Sequence, residues 1–385
     1  MDCQKYLFTL PDDHHYLNCS YLSPLLKSVE KAGIQGIQHK KSPWEITPND
    51  FFENSSRLRG LFAELIHAKN AHDVAIMPSV SYGLATVAKN IDLACGSSIV
   101  IAGEQFPSNV YIWKQFCKEH GCELKTVSPP KEFQNRGKQW NEHILEAIDN
   151  NTLLVALGNV HWTDGTLFDL KSIGRRARES NAYFIIDGTQ SVGALPLDVQ
   201  EIQPDALICA GYKWLMGPYS MTLGYFGPQL QNGLPLEEGW ITRRNSEDFS
   251  ALIDYQDDYQ PGAQRFDVGE RSNFILVPMM IEALKQILGW KPENIQSYCK
   301  ELTSELVHEL PTLGYKIEDE KWRGHHMFGI RLPKRITTDK LQQELGKRNI
   351  YVSVRGSAIR ISPNVYNDEA DVEALLEILN DLVSA

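Results

Sequence analysis

Two stretches decide how this chain is read: Ala182-Tyr183-Phe184-Ile185-Ile186-Asp187-Gly188-Thr189-Gln190, and Asp205-Ala206-Leu207-Ile208-Cys209-Ala210-Gly211-Tyr212-Lys213-Trp214-Leu215-Met216-Gly217-Pro218. Each opens as an apolar run of strand length. The first run delivers a carboxylate, Asp187, and the second an amine, Lys213, with a Gly-Pro turn behind it. Uninterrupted apolar strands belong in a sheet covered on both faces. In an open parallel sheet ligands bind beyond the carboxyl ends of the strands, so both groups are predicted to face one crevice.

The same texture extends outward. Val74-Ala75-Ile76-Met77 precedes a helical pattern over 81–91, Ile99-Val100-Ile101-Ala102 precedes one over 108–119, and Leu153-Leu154-Val155-Ala156-Leu157 precedes one over 170–179. Such alternation predicts an α/β large domain built on a mostly parallel sheet. Residues 231–269, rich in Asp, Gln, Gly and Tyr, read as a long loop-dominated connection, a length usually tied to function or an interface. Beyond it, helices are predicted over 277–289 and 294–310, strands near 327–332 and 351–354, and a closing helix over 368–383. That helix puts Val372, Leu375, Leu376, Leu379 and Leu382 on one stripe. The expected division is an N-terminal segment (1–20), a large domain (21–255) and a smaller α+β C-terminal domain (256–385).

At 385 residues the chain has ample core for two domains. Its net charge of −11 argues against nucleic acid or an anionic membrane surface as a partner, so any bound anion must meet a local positive site. Seven cysteines, Cys95 among them, show neither Cys-x-x-Cys nor zinc-like spacing; reduced, mostly buried thiols and no metal are expected. No run reaches the roughly 18 apolar residues of a membrane span, and the N-terminus has no basic-then-apolar leader pattern. A cytoplasmic protein is expected.

An amine that forms a Schiff base and a carboxylate that pairs with a pyridinium nitrogen are what pyridoxal 5′-phosphate requires. Asp187, Gln190, Gly193, Asp205, Lys213, Gly217 and Pro218 resemble the pattern of the class V aminotransferases, fold type I pyridoxal-phosphate enzymes, and the likeness continues more weakly from about Tyr16 to the C-terminus. The resemblance implies that fold, with the N-terminal segment packed near the small domain. It also implies a homodimer acting on a small amino-acid substrate.

Lys213 is the predicted covalent anchor and Asp187 the partner of the ring nitrogen, since a buried carboxylate there raises the nitrogen's pKa. Gln190 is implied to reach the cofactor's phenolic oxygen. The phosphate is placed at a helix N-terminus, where Ser79, Val80 and Ser81 stand in place of the family's usual Gly-Thr-Thr. Phe106, in a segment resembling that of kynureninases, is expected to stack on the ring, and Asn109 to help hold the phosphate. Tyr212 resembles the phosphate-binding tyrosine of kynureninase-like members. His161 has two readings, an active-site acid–base group or a satisfied structural histidine. Arg360 matches the family's carboxylate-binding arginine, whose two-toothed fork suits an amino acid. Gly269 and Glu270 fall where a partner subunit's phosphate contact is found, with an acid replacing the usual hydroxyl.

The cysteine desulfurases of the family place a nucleophilic Cys shortly before the C-terminal Arg, and here no Cys follows Cys299, so that route is not expected. Transamination is the preferred reaction. Kynureninase-like Cβ cleavage and isopenicillin N epimerase-like epimerisation are the alternatives.

Overall fold

The computed structural model describes residues 1–92, 97–355 and 358–384; Cys95, Gly356 and Ser357 lie outside the described residues. Near the N-terminus lie β1 (His15–Tyr16), α1 (Lys27–His39) and α2 (Glu53–Leu65). Strands and helices then alternate through β2 (Val74–Met77), α3 (Val80–Lys89), β3 (Ser98–Ala102), α4 (Ser108–His120), β4 (Glu123–Val127), α5 (Arg136–Ala147) and β5 (Thr152–Gly158). The series continues with α6 (Leu170–Glu179), β6 (Tyr183–Asp187), α7 (Val199–Ile202), β7 (Ala206–Ala210) and β8 (Thr222–Phe226). The C-terminal part holds α8 (Leu276–Trp290), α9 (Pro292–Leu302), α10 (Ser304–Glu309), β9 (Lys316–Ile317), β10 (Phe328–Arg331), α11 (Thr338–Lys347), β11 (Ile350–Tyr351), β12 (Ser353–Arg355), β13 (Ala358–Ile361) and α12 (Glu369–Ser384).

The large sheet runs β2-β8-β7-β6-β5-β3-β4. Only β8 is antiparallel to its neighbours, β2 and β7. Alternate residues serve opposite cores, which is why the strands read as unbroken apolar runs. Val100, Val155, Ile186 and Leu207 enter one core cluster, while Ile99, Ile101, Leu154, Ile185 and Ile208 enter the other. Asp205 ties β6 to β7 as well, its carboxylate accepting the Phe184 N–H at 2.8 Å.

Three boundaries differ from expectation. β4 is a polar edge strand with partly exposed residues, so it carries no apolar run to be read. The expected helix over 294–310 breaks at Thr303 into α9 and α10, where the Thr303 hydroxyl donates to the Cys299 carbonyl at 2.7 Å. The expected strand over 351–354 is two elements with different partners, β11 on β1 and β12 on β13. Packing also runs across the expected division at residue 255. α8 lays Val277, Met280, Leu284 and Ile287 into the large-sheet core, because its apolar stripe covers α1 and α2. A third cluster gathers Leu17 with residues from Leu306 onward, so the N-terminal segment packs on the C-terminal elements.

Candidate active site

All the strands other than β8 release their chain at the same sheet edge. β2 ends before Ser79, β5 at Gly158, β6 at Asp187 and β7 at Ala210, and the residues just beyond enclose a cavity of about 300 Å³. Ser79, Val80, Ser81, Phe106, Asn109, His161, Asp187, Gln190, Tyr212 and Lys213 all line it. The chain brings together every cofactor residue expected from the sequence except Gly269 and Glu270.

Lys213 sits in the connection between the antiparallel pair β7 and β8, which returns the chain across the sheet edge. It is 8% exposed, and no carboxylate among the described residues lies within ion-pairing distance of it. Burial lowers its pKa to about 8, with Asp187 raising it and Arg360 and Arg355 lowering it further. A lysine must be neutral to attack a carbonyl, so this environment prepares the amine. Its Nζ lies 5.5 Å from the centroid of Phe106 and 5.7 Å from that of Tyr212.

Asp187, at the end of β6, accepts the Thr189 N–H at 3.0 Å; burial raises its pKa, while Thr189 and Lys213 act in the opposite direction. A carboxylate that gains by meeting a cation is suited to a protonated ring nitrogen. Gln190 donates to the Ser20 carbonyl at 3.1 Å and accepts from Trp214 Nε1 at 2.9 Å. Its amide keeps a second N–H for a ligand oxygen. Behind it, His326 bonds the Gln190 carbonyl at 2.9 Å and is buried, its pKa lowered to about 4 mainly by desolvation.

α3 points its N-terminus into the cavity. Ser79 caps it, accepting the Tyr82 N–H at 3.1 Å, and the N–H groups of Val80 and Ser81 have no carbonyl within the helix to bond. Gly83 lets α3 reach this position, since a Cβ there would lie 2.8 Å from Ile208. Ser81 Oγ donates to Ser108 Oγ at 3.3 Å, adding a hydroxyl that sequence reasoning missed. Thr189, Tyr219 and Thr222 also line the cavity without having been singled out. Proximity was the missing signal for them, because none belongs to a spaced motif.

Two of the expected residues are held largely by the protein itself, His161 in keeping with the second of its two readings. His161 is buried with both ring nitrogens engaged, Nδ1 with Thr163 Oγ1 at 2.8 Å and Nε2 with the Gly103 carbonyl at 3.1 Å. Desolvation lowers its pKa, and it forms part of the wall rather than an acid–base group. Asn109 is buried too, its Nδ2 donating to Gln105 Oε1 at 3.3 Å and its Oδ1 accepting from Trp113 Nε1 at 2.8 Å, which leaves one amide N–H at the cavity wall.

Gly269 and Glu270 line a different cavity, beside Phe51, Trp240 and Phe274, and the Gly269 N–H donates to Glu237 at 2.7 Å. Within one chain they do not reach Lys213. Arg360 is 1% exposed on β13, donating to the Trp162 carbonyl and, at 3.1 Å, to Ser353 Oγ, while its Nε has no partner. Burial first and Arg355 second lower its pKa to about 9. No carboxylate among the described residues pairs with it, so an acid supplied by a ligand is the natural counterion.

Among the described residues, no group of three or more His, Cys, Asp or Glu is placed to hold a metal ion. The residues present fit pyridoxal phosphate instead. Lys213 would meet its aldehyde, Asp187 its ring nitrogen and the N-terminus of α3 its phosphate, and Phe106, a 41% exposed residue of the cavity lining, would offer a ring face. This is a fold type I pyridoxal-phosphate enzyme.

The chain belongs to the class-V aminotransferase family, whose model matches residues 47–375. An uncharacterized aminotransferase of Schizosaccharomyces pombe is 26% identical over 84% of this chain and 80% of its own length. An uncharacterized aminotransferase of Bacillus subtilis is 25% identical over 97% and 95%. A cysteine desulfurase structure from Thermococcus onnurineus superposes with a TM-score of 0.83 at 18% identity, covering 100% of this chain and 99% of that one, and shows the shared fold. Relatives named kynureninase and isopenicillin N epimerase match at 24% and 23% identity. The family, its cofactor and its enzymatic character are thereby settled.

Proposed function

We propose that the protein is an aminotransferase that acts at the Cα of an amino acid bound through Lys213 and Arg360. The observation that carries this is Lys213 itself, an amine of lowered pKa without a fixed partner, in the cavity that Asp187 also lines. When bound, pyridoxal phosphate supplies an electron sink for the charge left on Cα. Arg360 grips the substrate carboxylate and so fixes the side of Cα that faces the amine. With the cofactor bound, Lys213 Nζ would take the Cα proton and deliver it, on the same face, to the cofactor carbon that had carried the aldehyde, a transfer that one base can perform alone. Asp187 would keep the ring nitrogen protonated, and Phe106 and Trp162, edge to face at 5.5 Å, form an aromatic part of the cavity wall.

Sulfur transfer is disfavoured because no cysteine among the described residues lines the cavity. Cys19, near enough to influence Lys213, is buried, and its thiol is pushed up to about 12. A kynureninase-like lyase is the second reading, favoured by the joint presence of Phe106 and Tyr212 beside the lysine. A single-turnover screen of amino acids on the loaded enzyme separates these. Transamination leaves the cofactor as its amine with one oxoacid per site. Alanine released from kynurenine, with the cofactor recovered as the aldehyde, establishes the lyase. Racemisation without net product establishes the epimerase.

A further inference from the structure

Within the reading of the site just given, we propose that Arg355 forms a second anion subsite beside Arg360, so that the substrate is an amino acid with an acidic side chain. The argument begins with strand register. β12 and β13 pair antiparallel with Ser353 opposite Arg360, Val354 opposite Ile359 and Arg355 opposite Ala358. Directly opposed residues share a face, so Ser353, Arg355, Ala358 and Arg360 emerge together, while Val354, Ile359 and Ile361 turn to the small-domain core. Arg355 and Arg360 are diagonal neighbours on that face, a relation that places Cα atoms about 7–8 Å apart.

Both guanidinium groups meet Trp162, a lining residue of the Lys213 cavity. Arg355 lies over its ring at 5.4 Å and Arg360 donates to its carbonyl. Both are close enough to Lys213 to lower its pKa. Like charges side by side on one strand pair destabilise each other unless something neutralises them. Among the described residues no acid does: neither arginine has an ion-pair partner, and each has a buried Nε without a hydrogen bond. Arg355 spends only Nη1, on the Val354 carbonyl at 2.8 Å. In a chain of net charge −11, two adjacent arginines left unpaired directly behind Trp162, a wall residue of the Lys213 cavity, mark a place where the ligand brings the acids. One α-carboxylate occupies Arg360, and a second acidic group, carried on the substrate side chain, occupies Arg355.

Carboxylic acids without an amine test this, because they occupy the subsites but cannot react with the cofactor. Holoenzyme is titrated calorimetrically with butyrate, succinate and glutarate. At least one diacid is expected to bind about tenfold more tightly than butyrate, the strength of one added charged hydrogen-bonded contact. Arg355→Met should abolish that preference while moving butyrate affinity less than twofold, and Arg355→Lys should retain part of it. Arg360→Met should weaken both kinds of acid. Equal binding of mono- and diacids by the unmodified enzyme overturns the proposal. So does an Arg355→Met variant that loses both alike, since both arginines would then hold one carboxylate. The titration reads binding alone, so an enzyme that prefers diacids but does not transaminate refutes the proposed reaction and leaves this subsite standing.

Discussion

Competitive acylation of the cofactor-free protein should find Lys213 far more reactive near neutrality than an ordinary lysine. Its pKa of about 8 stands against an ordinary 10.5, a difference of 2.5 units that arises first from burial. At pH 8 half of the Lys213 amine is then free, where an ordinary lysine has about one part in 300 free. A trace of neutral acylating reagent, applied from pH 6 to 11 and read peptide by peptide by mass spectrometry, gives the titration directly, with added Nα-acetyl-lysine amide as internal reference. Arg360→Met removes one of the influences that lower the value and should move the Lys213 midpoint upward. Asp187→Asn removes the opposing one and should move it downward. The same shift acts on stability. Between pH 8 and 10.5 the unfolded chain binds the extra proton, so folding strengthens as pH rises through that window, by about 3 kcal/mol relative to Lys213→Met. A Lys213 reactivity still climbing with the reference above pH 10 refutes the reasoning.

Asp187→Asn should lower kcat about a hundredfold, the usual cost of removing one preorganised electrostatic partner, and reduce cofactor occupancy less; near-normal turnover in the fully loaded variant removes Asp187 from this role. Arg360→Lys should raise KM for amino acids about tenfold with pyridoxal phosphate affinity nearly unchanged, since a point charge cannot replace the bidentate fork. Equal losses toward amines without a carboxylate argue for a folding role. Sedimentation should find a homodimer, with Gly269 and Glu270 brought toward the partner's cavity, and a fully active monomer at assay concentration contradicts that assembly.

The large sheet was legible because strands buried on both faces leave an apolar run and the chemistry sits at their ends. Lys213 and Asp187 follow such runs, and Ser79, Val80 and Ser81 stand where a run gives way to a helix. β4 was missed because an edge strand carries polar residues, and the end of α9 because a threonine mid-pattern does not announce that it will bond the carbonyl four residues back. The surroundings of His161 and Asn109 were hidden from the sequence for one reason. Their residue types suit ligand contact, but whether a polar side chain faces a ligand or a protein partner is settled by distant chain segments, here Gly103 for the histidine. Arg355 escaped notice because its meaning lies in strand register rather than in a motif.

The central claim, that Lys213 anchors pyridoxal phosphate at this sheet edge, is tested most directly by borohydride reduction of the loaded protein followed by digestion and mass spectrometry. A pyridoxyl group fixed on the peptide that carries Lys213, and absent from Lys213→Ala treated in the same way, is the expected result. A reducible adduct on another lysine, or one that persists in Lys213→Ala, contradicts the account.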